Sequence, residues 1–315
     1  MHEAEAIHTV ERATDAMELH TGTVPGYRRA HPRGVHFHAT FQAAHGLARL
    51  STAEHFSGTP IPAIVRLSNA SGNPYAPDRK PNGHGATLGL SIRFEIPSGG
   101  YATWAAANLT NFPARTPSEF IRITELSSPT GKPGLKLLGH VATHPHIIPG
   151  VKGIANLPQT MSFATTQFNG LHAYFLVSSS GNRRPFRYSW VPDAGVDTLT
   201  NQQVKEWPPQ YLISEIKHRA SASWTLQFTL GESGDPTDDV TAQWPSYRTT
   251  MDVGTLRLGA LIDDQDAVEG IVFDPTGVVP GIELSDDPIL HFRSQVYAES
   301  HQRRTAEIRP TIRNE

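Results

Sequence analysis

The segment 273–304, F-D-P-T-G-V-V-P-G-I-E-L-S-D-D-P-I-L-H-F-R-S-Q-V-Y-A-E-S-H-Q-R-R, decides how this chain is read. Its second half, Ser285–Arg304, predicts a long helix with Asp286 and Asp287 near the start and Arg303 and Arg304 near the end, which suits the helix dipole. Steps of four, four and three residues place Arg293, Tyr297, His301 and Arg304 on one stripe of that helix. On spacing alone, an amphipathic helix with a polar outer face accounts for the stripe more simply. A guanidinium one turn before a tyrosine can, however, hold a phenolate, because a fixed cation favours the charged form of its neighbour. A buried phenolate is a ligand for ferric iron.

Composition narrows the remaining choices. The chain has 315 residues, 38% of them hydrophobic, which is enough for a sizeable core. Its net charge of -3, with the signs interspersed, argues against a nucleic-acid partner and against a polybasic membrane contact. There is no cysteine, so disulfides, thiolate nucleophiles, Cys-held zinc and Cys-held haem are excluded. Any haem would hang on His, Met or Tyr. Glu3, Glu5, Glu11, Asp15 and Glu18 leave no basic, secretory-type start, and no run reaches membrane-span length, so a cytoplasmic protein is expected.

Outward from the terminal helix, the pattern predicts an N-terminal helix over 2–20 and strands at His36–Phe41, Ala63–Ser68, Thr87–Ile96 and Tyr101–Ala107. Thr116 followed by Pro117 opens a helix to Leu126, and short helices broken by Pro133, Pro145 and Pro149 follow over Gly131–Ile154. Leu171–Ser178 and Pro185–Val191 flank a Ser-Gly-Asn turn. Asn201–Ala220 is helical with a break at Pro208-Pro209, and Trp224–Leu230 and Gly254–Ile262 are strands. No repeat or linker divides the chain. Strands at wide separation with helices between them predict one α+β domain built on an antiparallel barrel.

Two more segments carry candidate chemistry. Tyr27-Arg-Arg-Ala-His31-Pro-Arg-Gly34 sets a histidine among arginines, which favours its neutral base form. In Val65-Arg66-Leu67-Ser68, Arg66 and Ser68 share one face of an apolar strand, where a charge is costly unless it meets an anion. Elsewhere the ordinary readings prevail. His36 and His38 are barrel positions without a third ligand. His140, His144 and His146 include an i, i+4 pair with zinc spacing, but no H-E-x-x-H accompanies it, and it reads as helix surface. Gly83–Gly89 precedes a strand and is no phosphate loop, and Asp235–Asp239 is a solvated acidic loop.

Together these segments resemble the catalase superfamily, most closely its short catalase-related haem peroxidases. R-R-A-H-P-R-G at 28–34 is similar to the family's R-x-A-H-A-K-G, with Pro32 and Arg33 replacing Ala and Lys. V-R-L-S at 65–68 resembles V-R-F-S, G-L-S-I-R-F at 89–94 resembles G-F-A-V-K-F, and R-T-P-S-E-F at 115–120 resembles R-x-P-x-x-F. D-V-T-A-Q-W-P at 239–245 and the F-D-P…R-x-x-x-Y run at 273–297 complete the order, so the likeness covers about Gly26 to Arg304. It implies a catalase-like antiparallel β-barrel with surrounding helices, a single haem-binding domain over 1–315 with its core at about 26–304, and haem b as cofactor. By position, Tyr297 resembles the proximal iron ligand and Arg293 the arginine that keeps it ionised. His31 resembles the distal acid/base and Ser68 the hydroxyl that orients it. Arg28, Arg66 and Arg304 match propionate-binding arginines, with His301 close by, and Phe120 an aromatic against the haem face.

The implied reaction is reduction of hydrogen peroxide or an organic hydroperoxide by a small organic donor; a homodimer stays open. The distal Asn slot of full catalases falls on Ala107, with Asn108 next to it, which tilts the expectation from dismutation toward peroxidase chemistry. The C-terminal helical domain of full catalases is expected to be absent. The alternatives are a true catalase, a haem isomerase of fatty-acid hydroperoxides resembling allene oxide synthase, and a non-enzymatic barrel that binds a small apolar ligand or stores haem.

Overall fold

The computed structural model describes residues 3–79, 84–127 and 134–307. In chain order the elements are α1 (Glu3–Thr21), β1 (Arg33–Ala43), β2 (Ile61–Asn69), β3 (Leu88–Glu95), β4 (Tyr101–Ala107), α2 (Pro117–Leu126), α3 (Leu135–Thr143), α4 (Ile148–Ala155), β5 (Phe168–Asn169) and β6 (Tyr174–Val177). Then come β7 (Arg183–Pro192), α5 (Asn201–Glu206), α6 (Tyr211–His218), β8 (Ser223–Leu230), β9 (Thr250–Leu261), α7 (Gln265–Glu269), β10 (Ile282–Leu284) and α8 (Pro288–Thr305).

Every strand pairing is antiparallel. The sheet runs β7-β5-β4-β3-β2-β1-β9-β8 and closes through a β7–β8 pairing, giving an eight-stranded barrel; β6 and β10 extend it from the free length of β7. The expected catalase-like α+β barrel is thus present. Alternation fills its interior: Trp224, Leu226, Phe228 and Leu230 of β8 are buried and their neighbours only partly so. Phe41, Phe94, Phe168, Phe186 and Trp190 join them, each fully buried. Edge-to-face pairs such as Phe41 with Trp190 at 6.0 Å lock that core.

Strand β2 is buried on both faces apart from Pro62. Ala63, Val65 and Leu67 point into the barrel core, whereas Ile64 packs outside it with Ile262 and Phe273. Arg66 and Ser68 share this outer face. Level with Arg66 and Ser68, the outward residues of the adjoining strands are small: Gly89 and Ser91 on β3, Ala105 and Ala107 on β4. Small outward side chains make a shallow floor on the barrel wall, and α8 lies over it. Helix α1 packs against both α2 and α8 through Val10, Ala13, Ala16, Ile121, Phe292 and Val296. Arg29 ties the join from β1's approach, bonding Glu18 at 2.6 Å and Glu307 at 2.6 Å.

The element boundaries differ from expectation in instructive ways. The last helix starts at Pro288 rather than Ser285, because the Asp287 carboxylate accepts from the backbone of Ile289 and Leu290 and so caps it. The strand expected from Leu171 begins only at Tyr174, since the preceding residues turn His172 toward α8. β9 begins at Thr250, ahead of the expected Gly254. Residue 2 of the expected first helix, Pro133 and Gly83 lie outside the described residues.

Candidate active site

A cleft of about 890 Å³, its open mouth included, lies between the outer barrel wall and α8. Its lining includes Arg28, His31, Arg66, Ser68, Arg293, Tyr297, His301 and Arg304, which is every candidate position named from the sequence except Phe120. Phe120 instead stacks on Phe112 with ring centroids 5.7 Å apart and bridges two apolar clusters. Met17, Leu171, Val272 and Val296 supply apolar walls, and Gly89, Ser91, Ala105 and Ala107 the floor.

The α8 side is built as a relay. Arg293 Nη2 donates to Tyr297 Oη at 2.6 Å, and Nη1 donates to His172 Nε2 at 2.9 Å. His172 Nδ1 in turn donates to Asp287 Oδ2 at 2.7 Å. That arrangement requires a neutral imidazole with its proton on Nδ1. Burial, the larger cause, lowers the His172 pKa and outweighs the hydrogen bond to Asp287. Arg293 is therefore fixed at both ends, one amino group aimed at Tyr297. Sequence reading missed His172 and Asp287; the only signal was a lone histidine at the head of an apolar strand and an N-cap aspartate.

On the barrel side, His31 adopts φ 56°, the only non-glycine positive φ among the described residues. The conformation is held by Arg66, whose Nη2 donates to the His31 carbonyl at 2.8 Å. The imidazole Nδ1 lies 2.9 Å from Ser68 Oγ. Gly89 permits this seat: a Cβ there would lie 2.8 Å from His31 Cε1. Burial first, then Arg66, Arg293 and Arg28, lower the His31 pKa to about 3. The ring is thus neutral at rest. With its proton on Nδ1, Nε2 carries the lone pair.

The third group is a cationic corner. Arg28 Nε donates to Glu269 Oε1 at 2.7 Å, and Arg66 and Arg304 each approach that oxygen at 3.6 Å. Burial opposes the Glu269 charge, but Arg66 and Arg28 lower its pKa on balance. Among the described residues, three guanidiniums here share one carboxylate. Such a corner suits a ligand bearing two carboxylates. His301 accepts from Arg304 Nη2 at 3.0 Å through Nδ1 and closes this side.

Asn108 does not reach the cleft. Its Oδ1 accepts from Leu88 N at 2.8 Å and its Nδ2 donates to Ala86 O at 3.2 Å, so its amide is spent on backbone. Ala107 holds the wall position.

Comparison with known proteins gives the family. The model of the family described as Catalase matches residues 15–310, and the chain belongs to that family. It is 32% identical over 304 residues to a protein named catalase-related peroxidase from Mycolicibacterium paratuberculosis, covering 94% of this chain and 95% of the relative. A protein of the same name from Synechococcus elongatus is 33% identical over 305 residues, covering 94% and 89%. Catalase-3 of Arabidopsis thaliana is 25% identical over 311 residues, spanning 88% of this chain but 60% of the plant protein. Membership implies a haem cofactor, and the cleft fits one: a slot with apolar walls, a polar oxygen on one helix and a cationic corner for two acid groups. Among the described residues, no helix is long and apolar enough to cross a membrane.

Proposed function

We propose that this protein is a haem b peroxidase of the catalase superfamily, a single haem-binding domain that reduces hydrogen peroxide or an organic hydroperoxide with a small organic donor. The observation that carries the reading is the convergence of His31, Tyr297 and the arginine corner on one cleft. Bound there, haem would supply an iron that takes up peroxide and holds its oxidising equivalents. Tyr297 Oη would ligate the iron, and Arg293, steadied by His172, would stabilise the negative charge on that oxygen. Arg28, Arg66 and Arg304 would meet the propionates, with Glu269 keeping the guanidiniums in place before the cofactor arrives.

His31 moves the proton. Its Nε2 takes the proton from the near oxygen of the peroxide and returns it to the far one, so the far oxygen departs as water or an alcohol rather than as an anion. An imidazole with a pKa of about 3 holds that proton only briefly and gives it up readily. Ser68 keeps the ring aimed through Nδ1. Overall, the donor would supply two electrons and two protons, so that the second oxygen also ends as water.

The direct test is the visible spectrum of purified protein before and after peroxide. A haem absorption that changes with peroxide and returns on adding a phenolic donor is expected. A colourless protein that refuses hemin, or a haem spectrum indifferent to peroxide, overturns the reading.

Ala107 supports peroxidase over dismutase chemistry, because no amide occupies the position where full catalases carry a distal Asn. Ala107→Asn is expected to raise oxygen evolution relative to donor oxidation by several-fold. An unchanged ratio, measured with an oxygen electrode beside a donor assay, would show that this position does not choose between the two outcomes.

A further inference from the structure

Outside the lining of the cleft, three histidines and a glutamate meet where α2 and α3 pack. Glu119 lies in the first turn of α2, His140 in the last turn of α3, and His144 caps that helix. One ligand atom from each of Glu119, His140 and His144 can be chosen so that all three lie within 4.8 Å of one another. We propose that these three side chains bind a divalent transition-metal ion of the zinc type, with His146 orienting the glutamate and a water completing the shell.

The hydrogen bonds prepare the atoms for that role. His144 Nδ1 donates to the His140 carbonyl at 2.9 Å, which fixes the tautomer and leaves Nε2 with its lone pair. A ring N–H held by a backbone carbonyl is the usual support of a metal-binding histidine. His140 Nε2 is buried and has no hydrogen-bond partner among the described residues, an arrangement a metal ion would resolve. The two rings stack with centroids 4.0 Å apart, which keeps a nitrogen of each close to the other and to Glu119. Glu119 is held on both oxygens: Oε1 accepts from His146 Nε2 at 2.8 Å and Oε2 from the Arg115 backbone at 2.7 Å. The nearby cation Arg122 is offset by Glu125 at 3.6 Å.

Two imidazoles and one carboxylate suit Zn²⁺, which takes nitrogen and oxygen ligands in tetrahedral sites. The same set disfavours Mg²⁺ and Ca²⁺, which prefer oxygen alone. The ion would join α3 to α2, the helix that also carries the Phe120 ring against Phe112. It would act as a clasp between the two helices, and none of its ligands lines the cleft.

The test uses untagged, full-length protein as purified, freed of metal with a chelator and titrated with ZnCl₂ in a calorimeter. One Zn²⁺ per chain is expected, with a rise of several degrees in unfolding temperature, and Mg²⁺ is expected to give neither. His140→Asn combined with His144→Asn should weaken binding by at least about 100-fold, and His146→Asn by about 10-fold, the cost of losing an outer partner. Turnover of peroxide in the double variant should match that of the metal-free parent. If the double variant does not fold, His140→Gln alone, which keeps a good helix former, should show the loss. Absence of stoichiometric Zn²⁺ in the parent, or undiminished binding in these variants, overturns the proposal.

Discussion

His31→Ala is expected to leave haem uptake intact and to slow the reaction with hydrogen peroxide by about 10³-fold, within the range of 10²–10⁴ typical of a lost general acid–base group. The reasoning separates binding from proton transfer. Nothing in the Arg28, Arg66 and Arg304 corner or in the Arg293–Tyr297 pair depends on the imidazole, since Arg66 holds the His31 backbone carbonyl rather than its ring. What disappears is the one group positioned by Ser68 to carry a proton between two peroxide oxygens. His31→Asn is the better-folding companion, because asparagine tolerates the left-handed conformation at φ 56° and cannot shuttle the proton as imidazole does. Ser68→Ala should show a smaller loss, since the ring would remain but turn more freely. Stopped-flow mixing with peroxide reads all three. A parental rate in His31→Ala, with haem fully bound, would mean that another group or bulk water moves the proton.

How far the site could be read in the sequence depended on how local each part was. Arg293, Tyr297, His301 and Arg304 lie on one helix, so helical spacing alone placed them together, and the structure lines one cleft with all four. His31 and Ser68 are separated by 37 residues, and only the family resemblance joined them. The His172–Asp287 contact spans 115 residues and carries no local mark. Glu269 sits in a five-residue helix whose composition looks solvated, and arginines from three distant segments converge on its partly buried carboxylate, which leaves no local mark. The barrel itself was legible because β8 alternates cleanly. β5 and β10, with two and three residues, are too short for any period to show. The His140–His144 pair was visible as spacing, yet its carboxylate comes from another helix, which no helical period could reveal.

Acidification is expected to destabilise the protein sharply while most carboxylates are still ionised. His36 and His55 are fully buried. Burial is the main cause that holds their pKa values down, to about 4 and about 3 respectively. An unfolded histidine titrates near ~6.5. The unfolded chain therefore binds the extra protons between those values, so the stability is full above about pH 6.5 and falls as pH drops toward the folded values. At pH 5 each residue would have cost roughly 2 kcal/mol, and the two about 4 kcal/mol, a large part of a typical ~5–15 kcal/mol total. Glu269 and Glu307, with pKa values lowered from 4.5, add their loss only at lower pH. His55 is the sharper probe. Neither of its ring nitrogens has a hydrogen-bond partner among the described residues, and it lies against Phe94 and Trp104 with centroids at 5.4 and 5.9 Å. His55→Phe replaces a titrating ring by an apolar one in an aromatic nest. Urea unfolding from pH 4 to pH 8 should show its slope of stability against pH reduced by about 1.4 kcal/mol per unit between roughly pH 4 and 6. If His55→Phe keeps the parental slope, the ring is already solvated or partnered in solution, and the acid sensitivity comes from elsewhere.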